Sequence, residues 1–338
     1  MAIDSTEIRF QALSQLKTLD QFVPARAKIA PHTEALRQFD RRSNTWERIS
    51  YRDLYERIQQ WRRAFSKLGL KRGDRIAILL PNGVDAICCD QAVLANGYVP
   101  VPLHAIDTAG SSAFIIADSQ ATVLVTNRQS RWDSIYLTHT VMPDLRNVIF
   151  TEESAPEPRQ DGVHHWDLES WLATGHGVEE LPEPPTEDDL AAIVYTSGTT
   201  GRPKGVMLTD NCFNALAQQF RAYDKLFHRG QKLMNIMPPF IAYGYACGVH
   251  LPLVLGFTVI IIPNLDPAKL GSLVLKYKPE HMFGVPAHYQ QLAADPKLRD
   301  KDLSFILNYA AGGDSIARGA EQTVNDFLAA PVSYTHLR

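Results

Sequence analysis

The sequence predicts an α/β protein of two doubly wound, mainly parallel lobes. Short β-branched or apolar runs at 75–80, 122–126, 147–150, 233–237, 257–262 and 281–285 alternate with stretches of helical spacing. That order builds a parallel sheet with helices packed on its faces. Glycine and proline stand at the junctions, as in Pro81-Asn-Gly83 and at Gly97, and mark turns rather than element interiors. The apolar run 190–194 empties into a loop of glycines and hydroxyls. Ligands of open α/β sheets sit beyond the carboxyl ends of strands, where this loop is expected.

Taken in order, residues 1–30 form an N-terminal segment without a definite element. An extended pair is expected between 39 and 49, turning at Arg42-Ser-Asn44. Ser50 reads as a helix cap with Asp53 three residues on. Tyr51, Leu54, Tyr55, Ile58, Trp61, Phe65 and Leu68 follow at helical spacing, and Gly69 stands where the helix should end. Arg52, Arg57, Arg62 and Arg63 lie on the opposite face and read as a solvated surface. A strand at 75–80, a helix at 84–96, a strand at 98–102, a helix near 112–118 and strands at 122–126 and 147–150 complete a first lobe of about 31–150.

Residues 151–188 are rich in proline and glycine and read as a surface excursion. His164, His165 and His176 lie there without the spaced partners of a zinc site. A second lobe, about 189–330, resumes the alternation. Thr209 caps a helix reaching Tyr223, residues 243–255 form a buried helix, and Asp266-Pro267 opens another with a cap and a proline at its first position. A helix at 286–294 and a strand at 305–310 follow.

Composition narrows the function classes. Of 338 residues 45% are hydrophobic and 21% charged, ordinary for a globular chain. The formal charge of −3 lacks the basic surplus of a nucleic-acid binder. Cysteines 88, 89, 212 and 247 follow no metal-ligand spacing, and Cys88 and Cys89 sit in an apolar run as buried thiols, which fits a reducing cytoplasm. The N-terminus has no apolar signal core. The longest apolar stretch, 251–263, is broken by Pro252 and Gly256 and is too short to span a bilayer.

Chemistry concentrates in Tyr195-Thr-Ser-Gly-Thr-Thr-Gly-Arg-Pro-Lys-Gly-Val-Met-Leu-Thr209. Glycines 198, 201 and 205 let backbone N–H groups approach a ligand closely. Thr196, Ser197, Thr199 and Thr200 add short donors and Lys204 a cation, a set suited to polyphosphate. The common P-loop has lysine followed by Ser or Thr, whereas Lys204 is followed by glycine.

This stretch resembles the signature loop of the adenylate-forming superfamily, which includes acyl-CoA synthetases, adenylation domains of peptide synthetases and luciferases. Three further segments are similar to that family: Gly73-Asp-Arg-Ile-Ala-Ile-Leu-Leu-Pro-Asn82, Gly97-Tyr-Val-Pro-Val-Pro-Leu103 and Ala310-Ala-Gly-Gly-Asp314. The resemblance implies the large N-terminal domain of that fold. It also implies ATP, Mg²⁺ and coenzyme A, with a carboxylic acid, most like a fatty acid, activated to acyl-AMP. Thr196, Ser197, Gly198, Thr199, Thr200, Gly201 and Lys204 would then hold the β- and γ-phosphates, with Mg²⁺ bridging phosphate oxygens. Gly312 and Gly313 would lie along the adenine and acyl group.

Met237-Pro-Pro-Phe-Ile-Ala-Tyr-Gly244 matches the segment that shapes the acyl pocket, with Ile241 where many members carry histidine. Phe240, Ile241, Tyr243 and Tyr245 are the candidate pocket residues, core packing being the other reading of each aromatic. The resemblance ends near Leu328. The family's Tyr-Gly-x-Thr-Glu segment and the small C-terminal domain with its catalytic lysine are not found, so no catalytic residue is identified, the metal ligands are unknown, and the chain is expected not to complete catalysis alone. The missing domain is therefore an expected partner. Residues 331–338 read as a foreign tail or an altered reading frame. Two alternatives stay open: an adenylation domain that loads a carrier protein, and a non-catalytic nucleotide-binding remnant.

Overall fold

The computed structural model describes residues 16–40, 45–104, 107–153, 162–196, 202–221, 230–239, 242–263, 265–313, 315–328 and 333–334. Along the chain run α1 (Phe22–Ile29), β1 (Glu34–Asp40), β2 (Thr45–Ser50), α2 (Tyr51–Ser66), β3 (Arg75–Leu79), α3 (Val84–Ala95), β4 (Val99–Pro102), α4 (Ala109–Asp118), β5 (Ala121–Thr126), α5 (Gln129–Tyr136), β6 (Asn147–Phe150), β7 (His164–Asp167) and α6 (Leu168–Ala173). Then come β8 (Leu190–Thr196), β9 (Lys204–Thr209), α7 (Asp210–Arg221), β10 (Lys232–Asn235), a π-helical segment (Gly244–His250), α8 (Leu251–Leu255) and β11 (Thr258–Ile261). They are followed by α9 (Leu270–Tyr277), β12 (His281–Gly284), α10 (Pro286–Ala294), β13 (Asn308–Ala311), α11 (Arg318–Leu328) and β14 (Ser333–Tyr334).

Among these residues one sheet has the order β4-β3-β5-β6-β7 and a second the order β14-β13-β12-β10-β11-β1-β2. Every pairing in them is parallel except β1 with β2. Two mainly parallel sheets carrying helices were the expectation, and the structure has them.

Local chemistry sets several boundaries. Ser50 caps α2 through a reciprocal pair: its Oγ accepts from Asp53 N at 3.1 Å, and Asp53 Oδ2 accepts from Ser50 N at 3.2 Å. The apolar stripe of α2, including Leu54, Ile58, Trp61 and Phe65, is buried in the core. Its arginines are engaged in structure. Arg52 pairs with Glu56 at 3.0 Å, Arg57 with Glu47, and Arg62 donates to Asn96 Oδ1 at 3.0 Å and Ala95 O at 2.9 Å. Cys88 and Cys89 are buried on α3, and burial pushes both thiols up.

The structure corrects the sequence reading in four places. β1 and β2 do not belong to the first sheet: β1 pairs in parallel with β11, Leu36 opposite Val259, so these two strands extend the second. Residues 151–188 are not simply an excursion. β7 adds to the first sheet beside β6, and Trp171 of α6 is fully buried against Trp61 and Phe65, with ring centroids 5.3 and 4.7 Å apart. His165 packs edge-on to Trp132 and Phe150. The helix after Thr209 begins at Asp210 as expected, but Lys204–Thr209, left without an element in the sequence reading, is strand β9, so β8 and β9 form an antiparallel hairpin of their own. Finally, Ser333 and Tyr334 pair in parallel with Ala310 and Ala311 at the edge of the second sheet. A two-residue edge strand has no periodicity to betray it.

Candidate functional site

The hairpin puts Thr196 directly across from Lys204, at the paired ends of its two strands. Ser197, Gly198, Thr199, Thr200 and Gly201 lie outside the described residues. The base of the loop is firmly rooted. Ala191, Ala192 and Val194 of β8 are buried in one core, while Ile193 and Tyr195 pack against the other. Tyr195 donates its hydroxyl to Asp118 Oδ2 at 2.6 Å, fastening the hairpin to the end of α4. Burial and that carboxylate push the hydroxyl well up, so it stays a donor. Gly205 is required by space: a Cβ there would meet Ile193 Cγ2 at 2.9 Å and Tyr195 Cζ at 3.0 Å. Thr196 and Lys204 are exposed at the mouth of the loop.

A second group forms at the carboxyl end of β13. Gly312 N donates to Gly284 O at 3.1 Å, and Gly313 takes φ +81°, the left-handed region where glycine carries no Cβ penalty. Tyr243 closes over this end. Its hydroxyl donates to Ala310 O at 3.2 Å, and a Cβ on Gly312 would stand 3.3 Å from its ring. The structure thus brings together Tyr243 and Gly312, both taken from sequence as site residues. Phe240 and Ile241 lie outside the described residues.

Tyr245 points elsewhere. It is buried and donates to Asp90 Oδ1 at 2.6 Å. Beside it lies a small recess of about 20 Å³, lined by Leu80, Asn82, Ile87, Asp90, Tyr245 and Val249 among others. Asp90, Asn82 and His250 escaped the sequence reading. Gln91 Nε2 reaches Asp90 Oδ2 at 3.2 Å and His250 Nδ1 at 3.4 Å, and His250 Nε2 stands 3.6 Å from Asp90 Oδ2. Burial raises the Asp90 pKa against the opposing pull of His250 and its hydrogen bonds, and burial lowers that of His250. Asn82 ties the sheets together, donating to Met237 O at 2.6 Å. An aspartate inside the run Ala86-Ile-Cys-Cys-Asp-Gln-Ala-Val93 was the available signal, since a charge there has no solvent face to occupy.

With that geometry in place, a model of the family described as AMP-binding enzyme matches residues 23–335. The chain belongs to the AMP-binding enzyme family. Its curated relatives in that family include a long-chain-fatty-acid–CoA ligase of Bacillus subtilis (strain 168), 28% identical over 271 residues, covering 73% of this chain and 48% of the relative. A feruloyl-CoA synthase of Amycolatopsis sp is 31% identical over 301 residues, covering 85% and 52%. The chain therefore spans about half the length of the curated relatives it matches, and acid–CoA ligases acting on different acids share its family.

Solved structures show the same fold. The inhibitor-bound N-terminal domain of FACL13 from Mycobacterium tuberculosis superposes with a TM-score of 0.79 at 22% identity, covering 96% of this chain and 76% of that one. ATP-bound MatB from Rhodopseudomonas palustris gives 0.75 at 23% identity, covering 93% and 59%. Among the described residues no helix is long and apolar enough to cross a membrane.

Proposed function

We propose that the chain is the nucleotide- and acid-binding part of an enzyme that activates a carboxylic acid, a fatty acid in the first instance, with ATP. In that reading a carboxylate oxygen attacks the α-phosphorus and the bond from that phosphorus to pyrophosphate breaks. The acyl-AMP then passes its acyl group to the coenzyme A thiol with loss of AMP. The observation that carries it is the hairpin, which sets Lys204 opposite Thr196 at the mouth of a loop of glycines and hydroxyls. Such a loop would offer N–H and O–H donors beside the Lys204 cation, which suits the charge that moves onto departing pyrophosphate.

Thr196, Ser197, Gly198, Thr199, Thr200, Gly201 and Lys204 hold the β- and γ-phosphates in this proposal. Mg²⁺ would come with the triphosphate and would help offset its charge. Gly312 and Gly313 give the adenylate a close backbone surface, with Tyr243 as the wall behind it. The names of the relatives favour coenzyme A as acceptor over a carrier protein. The direct test is titration of the chain with ATP and Mg²⁺, alone and with dodecanoate, alongside acid-dependent ATP–pyrophosphate exchange by the chain fused to the C-terminal part of the Bacillus subtilis relative. Saturable ATP binding and exchange that needs the acid are expected. A chain that binds no adenine nucleotide would refute the reading.

A further inference from the structure

Side chains from elements around the first sheet fasten the β8–β9 hairpin at both ends of β8. Before the strand, Asp189 accepts from Arg72 Nε at 3.2 Å and from Thr186 N at 2.6 Å. At the other end the Tyr195 hydroxyl donates to Oδ2 of Asp118, the last residue of α4, at 2.6 Å. The two tethers act at different places. Asp189 stands at the end of β8 remote from the loop, whereas Tyr195 is the immediate neighbour of Thr196.

In the hairpin register Tyr195 is opposite Gly205, one rung before the Thr196–Lys204 pair. Its ring lies against that rung: a Cβ on Gly205 would meet Cζ at 3.0 Å and Cε2 at 3.2 Å. The side chain therefore touches β9 beside Lys204 and ends on a carboxylate of another element. With the hydroxyl held, the ring cannot turn away from Gly205, and the pair that roots the loop is fixed with it.

Taken alone, α4 gives no reason for an aspartate at its last position. Backbone carbonyls make the carboxyl end of a helix negative, and a carboxylate there adds to that charge. The last turn carries no basic side chain. The end is closed from β3 instead, with Arg75 Nε donating to Ser119 O at 2.7 Å and Nη2 to Gln120 O at 3.0 Å. Arg75 thus gives Asp118 a firm support, and the bond from Tyr195 offsets the unfavourable placement of its charge.

We propose, resting on the polyphosphate reading of the loop above, that Asp118 is a positioning residue for a nucleoside triphosphate. Through Tyr195 it holds the Thr196–Lys204 pair where the β- and γ-phosphates are received, without touching the nucleotide itself. Part of the ordering of the site is then complete before ATP arrives, and this appears as affinity. AMP lacks those phosphates and gains nothing from it. The signature is a change in the ratio of ATP to AMP affinity rather than a general loss of binding or of fold.

The test titrates the 338-residue chain with ATP and Mg²⁺, and separately with AMP, by calorimetry, with urea unfolding of each variant alongside. Tyr195→Phe and Asp118→Ala should each weaken ATP about fivefold, the size of one hydrogen bond partly shared with water, and AMP by less than about twofold. The double variant should be no weaker than either single one, because the two side chains make one bond. Asp118→Asn keeps an acceptor and should restore most of the ATP affinity. Arg72→Ala loosens the remote end of β8 and should lower stability without changing the ratio. Lower stability with an unchanged ratio in Tyr195→Phe and Asp118→Ala overturns the proposal. So do additive losses in the double variant, or an effect of Arg72→Ala on the ratio as large as theirs. Lys204→Ala separates this inference from the reading beneath it. If Lys204→Ala lowers the ratio while the Tyr195 and Asp118 variants do not, the inference fails and the polyphosphate reading stands. If Lys204→Ala leaves the ratio unchanged as well, both fall.

Discussion

Gly312 faces the ring of Tyr243 so closely that a Cβ on the glycine would stand 3.3 Å from two ring carbons. The tyrosine cannot simply swing away, because its hydroxyl donates to Ala310 O at 3.2 Å on the same strand. Gly312→Ala should therefore shift the ring or the loop by a few tenths of an ångström. The expected result is a loss of about 1 kcal/mol in stability and about tenfold weaker binding of an acyl-adenylate analogue. Adding Tyr243→Ala to the same chain should recover part of the binding, because it clears the space the new methyl needs. Titration of both variants checks this.

Lys204 is the one cation of the signature stretch that the hairpin register places across from Thr196. If it offsets the β- and γ-phosphates, its removal should be felt by ATP far more than by AMP. Lys204→Ala should weaken ATP by tenfold or more, the scale of about 1.5–3 kcal/mol for a hydrogen bond to a charged group. AMP affinity should change less than threefold. Equal losses for both nucleotides would place the lysine elsewhere.

Most strands and helices were legible because their signals are local. The Ser50–Asp53 box, the stripe of α2 and the β-branched runs of β5 and β11 each carry a pattern that burial then uses. Sheet membership was not legible. Nothing in Glu34–Asp40 says that it will pair with Thr258–Ile261 more than two hundred residues later, since that choice is made by packing between distant elements. His164–Asp167 reads as polar loop and becomes an edge strand. At the site, the residue types of the loop suggested a polyphosphate set from sequence, while the contact between Tyr243 and Gly312 came only from the structure. Tyr245 and Asp90 were separable only once their side chains were placed.

Asp210 gives the fold a pH dependence of defined sign. It is 1% exposed, Oδ1 accepts from Leu19 N at 2.6 Å, and burial together with the charges of Asp20, Asp189 and Asp90 moves its pKa up to about 7. Unfolded, it should titrate near the ordinary value of about 3.9. Between those values the folded state binds more protons than the unfolded state. This group's contribution is thus fully present below about pH 4 and is lost as pH rises through 7. Asp210→Asn keeps the acceptor and removes the titration. Urea unfolding at pH 5 and pH 8 should show the wild-type chain losing on the order of a few kcal/mol relative to the variant.

Trp171 tests whether residues 162–188 are part of the folded core. It is fully buried, and its ring meets Trp61 edge-on at 5.3 Å and Phe65 at 4.7 Å. Gly175, just beyond α6, leaves no room for a side chain: a Cβ there would lie 2.8 Å from Ala64 N. The short helix is therefore held against α2 at two points, one aromatic and one by close backbone approach. Truncating a buried tryptophan leaves a cavity that a rigid core fills only in part, typically losing about 3–5 kcal/mol. Trp171→Ala should show a loss of that size in chemical unfolding, whereas Leu137→Ser at a 67% exposed position should stay within about 0.5 kcal/mol. A change near zero at Trp171 would mean that the segment lies over the surface without anchoring the first sheet.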